Sequence, residues 1–242
     1  MERIMINGRS LAGKDTIADY LVKEYGFKKI SFAEPIYEIA EKYFGMKEKD
    51  RELLQEIGEK FREIDPDIWV KLLLKRVNKH NRFVISDVRQ TNEYLICRGE
   101  DFIPIRVKSN LDLRIERCKK RDGIENPDIS LWENDSETGA DDFNYHEIDN
   151  NSTLEDLYKQ IDKLCEKLKI KKPIDFQLLD KVKIVKVADT EKANHLTKYI
   201  GCEGHIFSYI HIDGNRKYKV IFGDFSGNES AYFFGNELEL IK

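Results

Sequence analysis

Gly8, Gly13 and Lys14 stand at the spacing Gly-x-x-x-x-Gly-Lys, within Ile4-Met5-Ile6-Asn7-Gly8-Arg9-Ser10-Leu11-Ala12-Gly13-Lys14-Asp15-Thr16. These residue types at this spacing can hold a phosphate. Glycines let the backbone fold tightly, so that successive N–H groups face one anion. A helix behind the turn aims its positive end at the same place, and the lysine brings a full charge to the outer phosphates. Gly8, Ala12, Gly13, Lys14, Asp15 and Thr16 are therefore the candidate nucleotide-binding residues. The residue after such a lysine is usually Ser or Thr, whose hydroxyl holds Mg²⁺. Here it is Asp15, with Thr16 next. Either could enter the metal shell, and the sequence does not choose. The bland alternative is a glycine-rich turn with no ligand. The flanks speak against it: Ile4 to Ile6 reads as a buried strand, Ile17, Ala18, Leu21, Val22 and Tyr25 form a helical stripe, and Gly26 is a helix stop.

Phosphoryl transfer asks for charge neutralisation and in-line positioning more than for covalent chemistry. Lys14 is the candidate for the β- and γ-phosphates. Asp87, at the end of the apolar run Arg82 to Ser86, stands where a strand-end carboxylate would hold Mg²⁺ through water or take a proton; its structural alternative is a turn or cap residue. Arg114, Arg117 and Arg121 are three and four apart and share one helix face, with Lys119 and Lys120 beside them. They could form a lid over the phosphates that excludes water, or simply a solvated basic face. Arg89 faces the same cleft. Arg62 precedes it on a helical segment where an acceptor phosphate could be clamped. Arginine suits such places because its planar fork grips phosphate bidentately. His205 and His211 are read as surface residues rather than a metal pair. Trp69 and Trp132 are read as packing residues rather than base-stacking platforms. No nucleophile triad competes, and no Asn-Lys-x-Asp guanine motif appears.

The elements that must position these residues alternate. Strands are expected near 4–6, 28–33, 82–87, 102–107 and 145–148, with helices between them and a last amphipathic helix over 153–168 capped by Asn151 or Ser152. Pro66 splits the helical stretch 48–79 in two. Pro104 predicts an edge position or a bulge. Such alternation implies a parallel sheet with right-handed crossovers and a ligand site beyond the carboxyl ends of the strands. The phosphate loop and Asp87 should meet there. Residues 1–170 then form one α/β domain, a three-layer sandwich. After a linker at 169–173 the pattern changes to short strands with an Asp213-Gly214-Asn215 turn, and residues 174–242 are expected to form a small all-β, SH3-like barrel.

The 242 residues are 40% hydrophobic and carry a net charge of −4, so no broad basic field invites nucleic acid or an anionic membrane. No apolar run is long enough to span a bilayer, and the N-terminus lacks a signal-peptide core. The four cysteines have no Cys-x-x-Cys spacing and read as reduced thiols of a cytoplasmic protein.

Five stretches in order resemble the phage-type deoxynucleoside monophosphate kinases. They are Gly8 to Thr16 with its Gly-Lys-Asp-Thr ending; Ser31-Phe32-Ala33-Glu34-Pro35; Leu54-Gln55-x-x-Gly58-x-x-x-Arg62 followed by Asp67-x-Trp69; Ser86-Asp87-Val88-Arg89 followed by Asn92-Glu93; and Asp149-Asn150-Asn151-Ser152-x-Leu154. The likeness covers about residues 1–168. It implies a P-loop nucleoside monophosphate kinase fold, with ATP, Mg²⁺ and a dNMP acceptor. It places Phe32, Glu34, Gln55, Arg62, Trp69 and Arg89 in the acceptor region. Arg117 and Arg121 fall in the lid with Arg114, and Asn151 and Ser152 lie beside the ATP base. Glu56-Ile57-Gly58-Glu59-Lys60 departs from the Gly-Thr-Glu that the family carries after its glutamine, which leaves the base preference open. The alternatives are a P-loop kinase for another acceptor, such as a dephospho-coenzyme A-like alcohol, and a nucleotide-binding regulator without turnover. For the C-terminal barrel, outside the resemblance, the expectation is a protein contact or homodimerisation.

Overall fold

β1 (Arg3–Gly8) carries Ile4, Met5 and Ile6, none of them exposed, and lies at the centre of a five-stranded sheet. It pairs with β3 (Arg82–Ile85) on one side and β4 (Ile103–Lys108) on the other. β2 (Phe27–Ile30) flanks β3, and β5 (His146–Asp149) flanks β4. Every pairing is parallel, in the order β2-β3-β1-β4-β5. This computed structural model describes residues 2–77, 82–125, 127, 129, 140, 143–173, 176–187, 191–212, 215–223 and 229–241. They fall into two units, Met1–Lys171 and Lys172–Lys242.

Side chains alternate across the first sheet, as the period of a strand requires. Ile4 and Ile6 join Ile17 and Leu21 of α1 (Lys14–Tyr25) and Leu157 and Ile161 of α7 (Leu154–Lys167). Met5, Phe83 and Ile85 join the opposite layer, with Trp69 and Leu73 of α4 (Ile68–Arg76) and Tyr94 and Cys97 of α5 (Thr91–Gly99). The result is a mixed α/β fold with a parallel sheet between helical layers. α2 (Glu34–Phe44) and α3 (Arg51–Ile64) lie between β2 and α4, and α6 (Leu111–Asp122) follows β4. Gly26 ends α1 in the left-handed region, its N–H donating to Leu21 O.

Three local expectations change. β2 stops at Ile30 instead of reaching Ala33, because Asp87 takes the amides of Phe32 and Ala33 away from any ladder. β4 is interior rather than an edge, yet β5 begins opposite Ile105, so Pro104 has a strand on the β1 side alone. The cap of α7 is Thr153, whose Oγ1 accepts from Asp156 N at 3.2 Å, rather than Asn151 or Ser152. Trp132 and the Asp213-Gly214 turn lie outside the described residues.

The second unit is a five-stranded antiparallel sheet in the order β10-β6-β7-β8-β9. Its strands are β6 (Lys181–Ile184), β7 (Glu203–Ile212), β8 (Asn215–Ile221), β9 (Ser230–Phe234) and β10 (Leu238–Leu240). Val182, Ile184, Ile206, Tyr218, Val220 and Phe233 form its core. β7 outruns the short strand expected there and absorbs the length through a register shift between Ile206 and Ser208. Cys97, Cys118 and Cys165 are free and buried, and Cys202 is free and exposed. Burial pushes the Cys97 thiol up to about 12. Among the described residues no helix is long and apolar enough to cross a membrane.

Candidate active site

The sheet delivers the glycine-rich loop to the carboxyl end of its central strand. β1 ends at Gly8, Leu11 and Gly13 take positive φ of 61° and 105°, and α1 begins at Lys14. Ala12 N donates to Arg9 O at 3.1 Å, closing the turn. Lys14 Nζ folds back across it, donating to Gly8 O at 2.6 Å and Arg9 O at 3.1 Å. The ammonium therefore sits over the concave backbone, in front of the positive end of α1. Two glycines are there because nothing larger fits. A Cβ at Gly8 would meet Val107 O at 2.7 Å, and one at Gly13 would collide with Asn150 Nδ2.

The arginines of α6 hold this loop from behind. Arg114, buried, donates from Nε to Ser10 O at 2.8 Å. Arg117 Nη1 donates to Leu11 O at 3.1 Å and to Ser109 Oγ at 2.9 Å, while its Nη2 donates to Asn150 O at 2.8 Å. Both guanidiniums thus brace loop carbonyls. Arg121 is exposed and forks onto Asp122, with two contacts of 2.8 Å. Asn150 adds the latch, donating from Nδ2 to Ala12 O at 2.7 Å while its own N–H binds Lys108 O at 2.8 Å. Asn151 Oδ1 accepts from Asn110 N at 2.6 Å, and Ser152 Oγ donates to Asp156 at 2.7 Å; both shape the loop before α7.

In front of the loop, Asp15 and Asp87 are joined through Ser86. Ser86 Oγ donates to Asp15 Oδ1 at 2.8 Å, and Lys29 Nζ lies 2.9 Å from the same oxygen and 3.0 Å from Asp19. Burial works against the Asp15 charge, but the bonds from Lys29 and Ser86 prevail and hold the carboxyl below its usual range. Asp87 has the opposite balance. Its burial outweighs the donors Ser31 Oγ (2.7 Å), Ala33 N (3.1 Å) and Phe32 N (3.3 Å) and the nearby Arg89, so its carboxyl is pushed up. Asp87 therefore caps the start of α2 as well as standing at the end of β3.

Of the residues expected on the acceptor side, Arg62 and the backbone of Arg89 meet at Glu93, a carboxylate that the sequence analysis did not single out as a site residue, and the others do not. Glu93 is 4% exposed and accepts from Arg89 N at 2.8 Å and Gln90 N at 3.0 Å. Arg62 Nη2 lies 4.0 Å from its other oxygen. Trp69 is packed in the core against Phe61, and its Nε1 donates to Gly58 O at 3.1 Å. Phe32 is buried in the same layer. Glu34 pairs with Arg76 at 2.7 Å, and Gln55, on the solvent side of α3, donates to Glu59 at 2.9 Å.

No family model and no curated protein matches the chain. Similar solved structures include a gluconokinase from Sinorhizobium meliloti 1021, 16% identical, with a TM-score of 0.47 over 69% of this chain and 95% of that one. A shikimate kinase from Acinetobacter baumannii, in complex with shikimate, is 19% identical, with a TM-score of 0.45 over 71% of this chain and 96% of that one. The cyanobacterial cytochrome b6f complex subunit PetP is 24% identical over 28% of this chain and 81% of that one, at a TM-score of 0.24. All three scores lie below 0.5, so the fold and the site stand on this chain's own geometry.

That geometry fits Mg²⁺. Asp15 and Thr16 on the first turn of α1, with Ser86 and Asp87 at the end of β3, offer oxygen, the donor a hard cation takes. Asn7, buried beside them, binds Val88 O through Nδ2 and leaves Oδ1 without a donor. Among the described residues no group of three or more His, Cys, Asp or Glu could hold a metal. An Mg²⁺ ion there would be held by one or two carboxylates, with water and phosphate oxygens completing its shell. Lys29, Ser86, Glu93 and Asn150 were missing from the sequence-based site. Ser86, Glu93 and Asn150 stood within the motifs quoted above, and Lys29 had only its place near the end of β2 as a signal.

Proposed function

We propose that the chain transfers the γ-phosphoryl group of ATP to a deoxynucleoside monophosphate, giving ADP and a dNDP. The observation that carries this reading is the two-sided site. A braced phosphate loop with Lys14 across it follows β1, and past the end of β3 the buried Glu93 accepts the backbone N–H of Arg89 and faces Arg62. An oxygen of the acceptor phosphate attacks the γ-phosphorus, the bond to the β-bridging oxygen breaks, and ADP leaves with that oxygen. Lys14 and the loop N–H groups neutralise the β- and γ-phosphates. Arg121, at the free end of α6, supplies a lid charge once it leaves Asp122. Arg62 and Arg89 hold the acceptor phosphate, so that the two reactants meet in line. Mg²⁺, held by Asp15 or Thr16, would supply the remaining charge on the ATP oxygens. Such an enzyme belongs in the cytoplasm, with the nucleotide pool. The deciding experiment is an acceptor panel: the full-length protein with ATP and Mg²⁺ is offered each dNMP, the matching NMPs and dephospho-coenzyme A. At least one dNMP should be converted. Folded protein that converts none of them overturns the reading, and conversion of dephospho-coenzyme A alone replaces the acceptor.

For the second unit we read an SH3-like barrel that makes a protein contact. Support comes from its strand order and from the exposed Phe207, Ile210 and Ile212 on β7. Removing residues 172–242 should lower the number of chains per particle measured by light scattering. An unchanged number of chains per particle would end the self-association version of this role.

A further inference from the structure

We propose that Glu93 is a positioning residue that sets Arg62 for the acceptor phosphate, and that Gly58 is the gap through which Arg62 reaches it. This rests on the dNMP kinase reading. Four observations carry it. First, Glu93 is buried and divides its labour: Oε2 takes the N–H groups of Arg89 and Gln90, while Oε1 faces Arg62. Second, the Arg62 contact is long, at 4.0 Å, so the guanidinium is aimed without being saturated and keeps donors for a ligand. Third, Gly58 lies one turn before Arg62, and a Cβ there would come within 3.3 Å of Arg62 Nη1 and 3.5 Å of Ile36 Cδ1. Fourth, the surrounding joints are fixed. Trp69 Nε1 holds Gly58 O at 3.1 Å, and Asn92 Nδ2 binds Pro66 O at 3.0 Å and Asp67 Oδ1 at 2.8 Å. Gly58, Arg62, Asp67, Trp69, Asn92 and Glu93 thus make one assembly across α3, α4 and α5. The carboxylate at its centre serves two arginines at once, one through its side chain and one through its backbone.

Glu93→Gln tests this in the full-length protein, using the acceptor found by the panel. Glutamine keeps its one oxygen for the two N–H groups and turns its uncharged amide NH2, a donor, toward Arg62. Acceptor KM should rise about tenfold, the cost of one charge-assisted contact. The kcat and the KM for ATP should stay within about twofold. In an Arg62→Lys background the same change should add less than about twofold, because the partner it acts through is gone. Gly58→Ala, which leaves the α5 cap untouched, should raise acceptor KM in the same selective way and serves if Glu93→Gln fails to fold. Equal effects of Glu93→Gln with and without Arg62, or joint loss of kcat and ATP binding, would mark a merely structural residue and overturn the proposal. An active wild type with an unchanged Glu93→Gln variant overturns this inference alone. A wild type that phosphorylates no monophosphate overturns the kinase reading and this one with it.

Discussion

Lys14→Ala should lower kcat for phosphoryl transfer by at least about 10²–10³-fold, the loss seen when one preorganised charge or donor is taken from a developing anion. The reason lies in where the ammonium stands. It bridges Gly8 O and Arg9 O on the face of the loop that α1 points toward. A triphosphate in the loop would take those donors over from the carbonyls, so the side chain needs only a small movement to reach the β- and γ-oxygens. Arg114 and Arg117 cannot substitute, since their forks hold Ser10 O and Leu11 O from the other side. The fold should survive, because Gly8 O and Arg9 O are only half-buried and water can replace the lost donor, at a cost of about 1 kcal/mol each. Steady-state rates with saturating ATP, beside a circular dichroism spectrum and a urea midpoint, separate the two effects. Activity within about tenfold of wild type in a folded Lys14→Ala protein would remove Lys14 from the site.

The same loop shows what the sequence made legible. A glycine-rich turn after Ile4 to Ile6 and before an apolar helical stripe has few alternatives, because strand, turn and helix each carry their own period or stop. The parallel sheet followed from the alternation of strands and helices, and the antiparallel change after residue 173 followed from short strands with glycine turns. What stayed hidden was the partner of each charge. Sequence spacing put Arg114, Arg117 and Arg121 on one helix face but could not say that two of them turn to loop carbonyls while the third meets Asp122. Those distances depend on how α6 packs against residues about 100 positions away. Asp87 was placed correctly at a strand end. Its capping of α2 depends on β2 stopping early, which no local propensity announces. Glu93 had the signature of a helix-start acid, and only tertiary packing brought Arg62 of α3 to its second oxygen.

Gly8→Ala should be far more damaging than its single methyl suggests, and Gly45→Ala supplies the comparison. Both glycines have positive φ, 153° and 69°. At Gly45, the stop of α2, an added Cβ meets nothing within 4 Å, so only the backbone preference is lost, about 1–2 kcal/mol. At Gly8 the same Cβ would lie 2.7 Å from Val107 O and 3.3 Å from Val107 Cβ. Gly8 and Val107 are register partners on neighbouring strands, and Val107 is buried in the layer of Ile4 and Ile6. Backbone cannot rotate aside as a side chain does. β4 must move away from β1, or β1 must end one residue early, and overpacking of this kind adds about 1–3 kcal/mol. Either movement shifts Gly8 O, the carbonyl on which Lys14 rests. Gly8→Ala should therefore lower the urea midpoint more than Gly45→Ala and also weaken ATP binding, while Gly45→Ala leaves ATP binding alone. Calorimetric titration with ATP beside urea unfolding of both variants reads the two quantities separately. Equal stability losses with ATP affinity intact in both would mean that the close approach of β1 and β4 does not shape the phosphate loop.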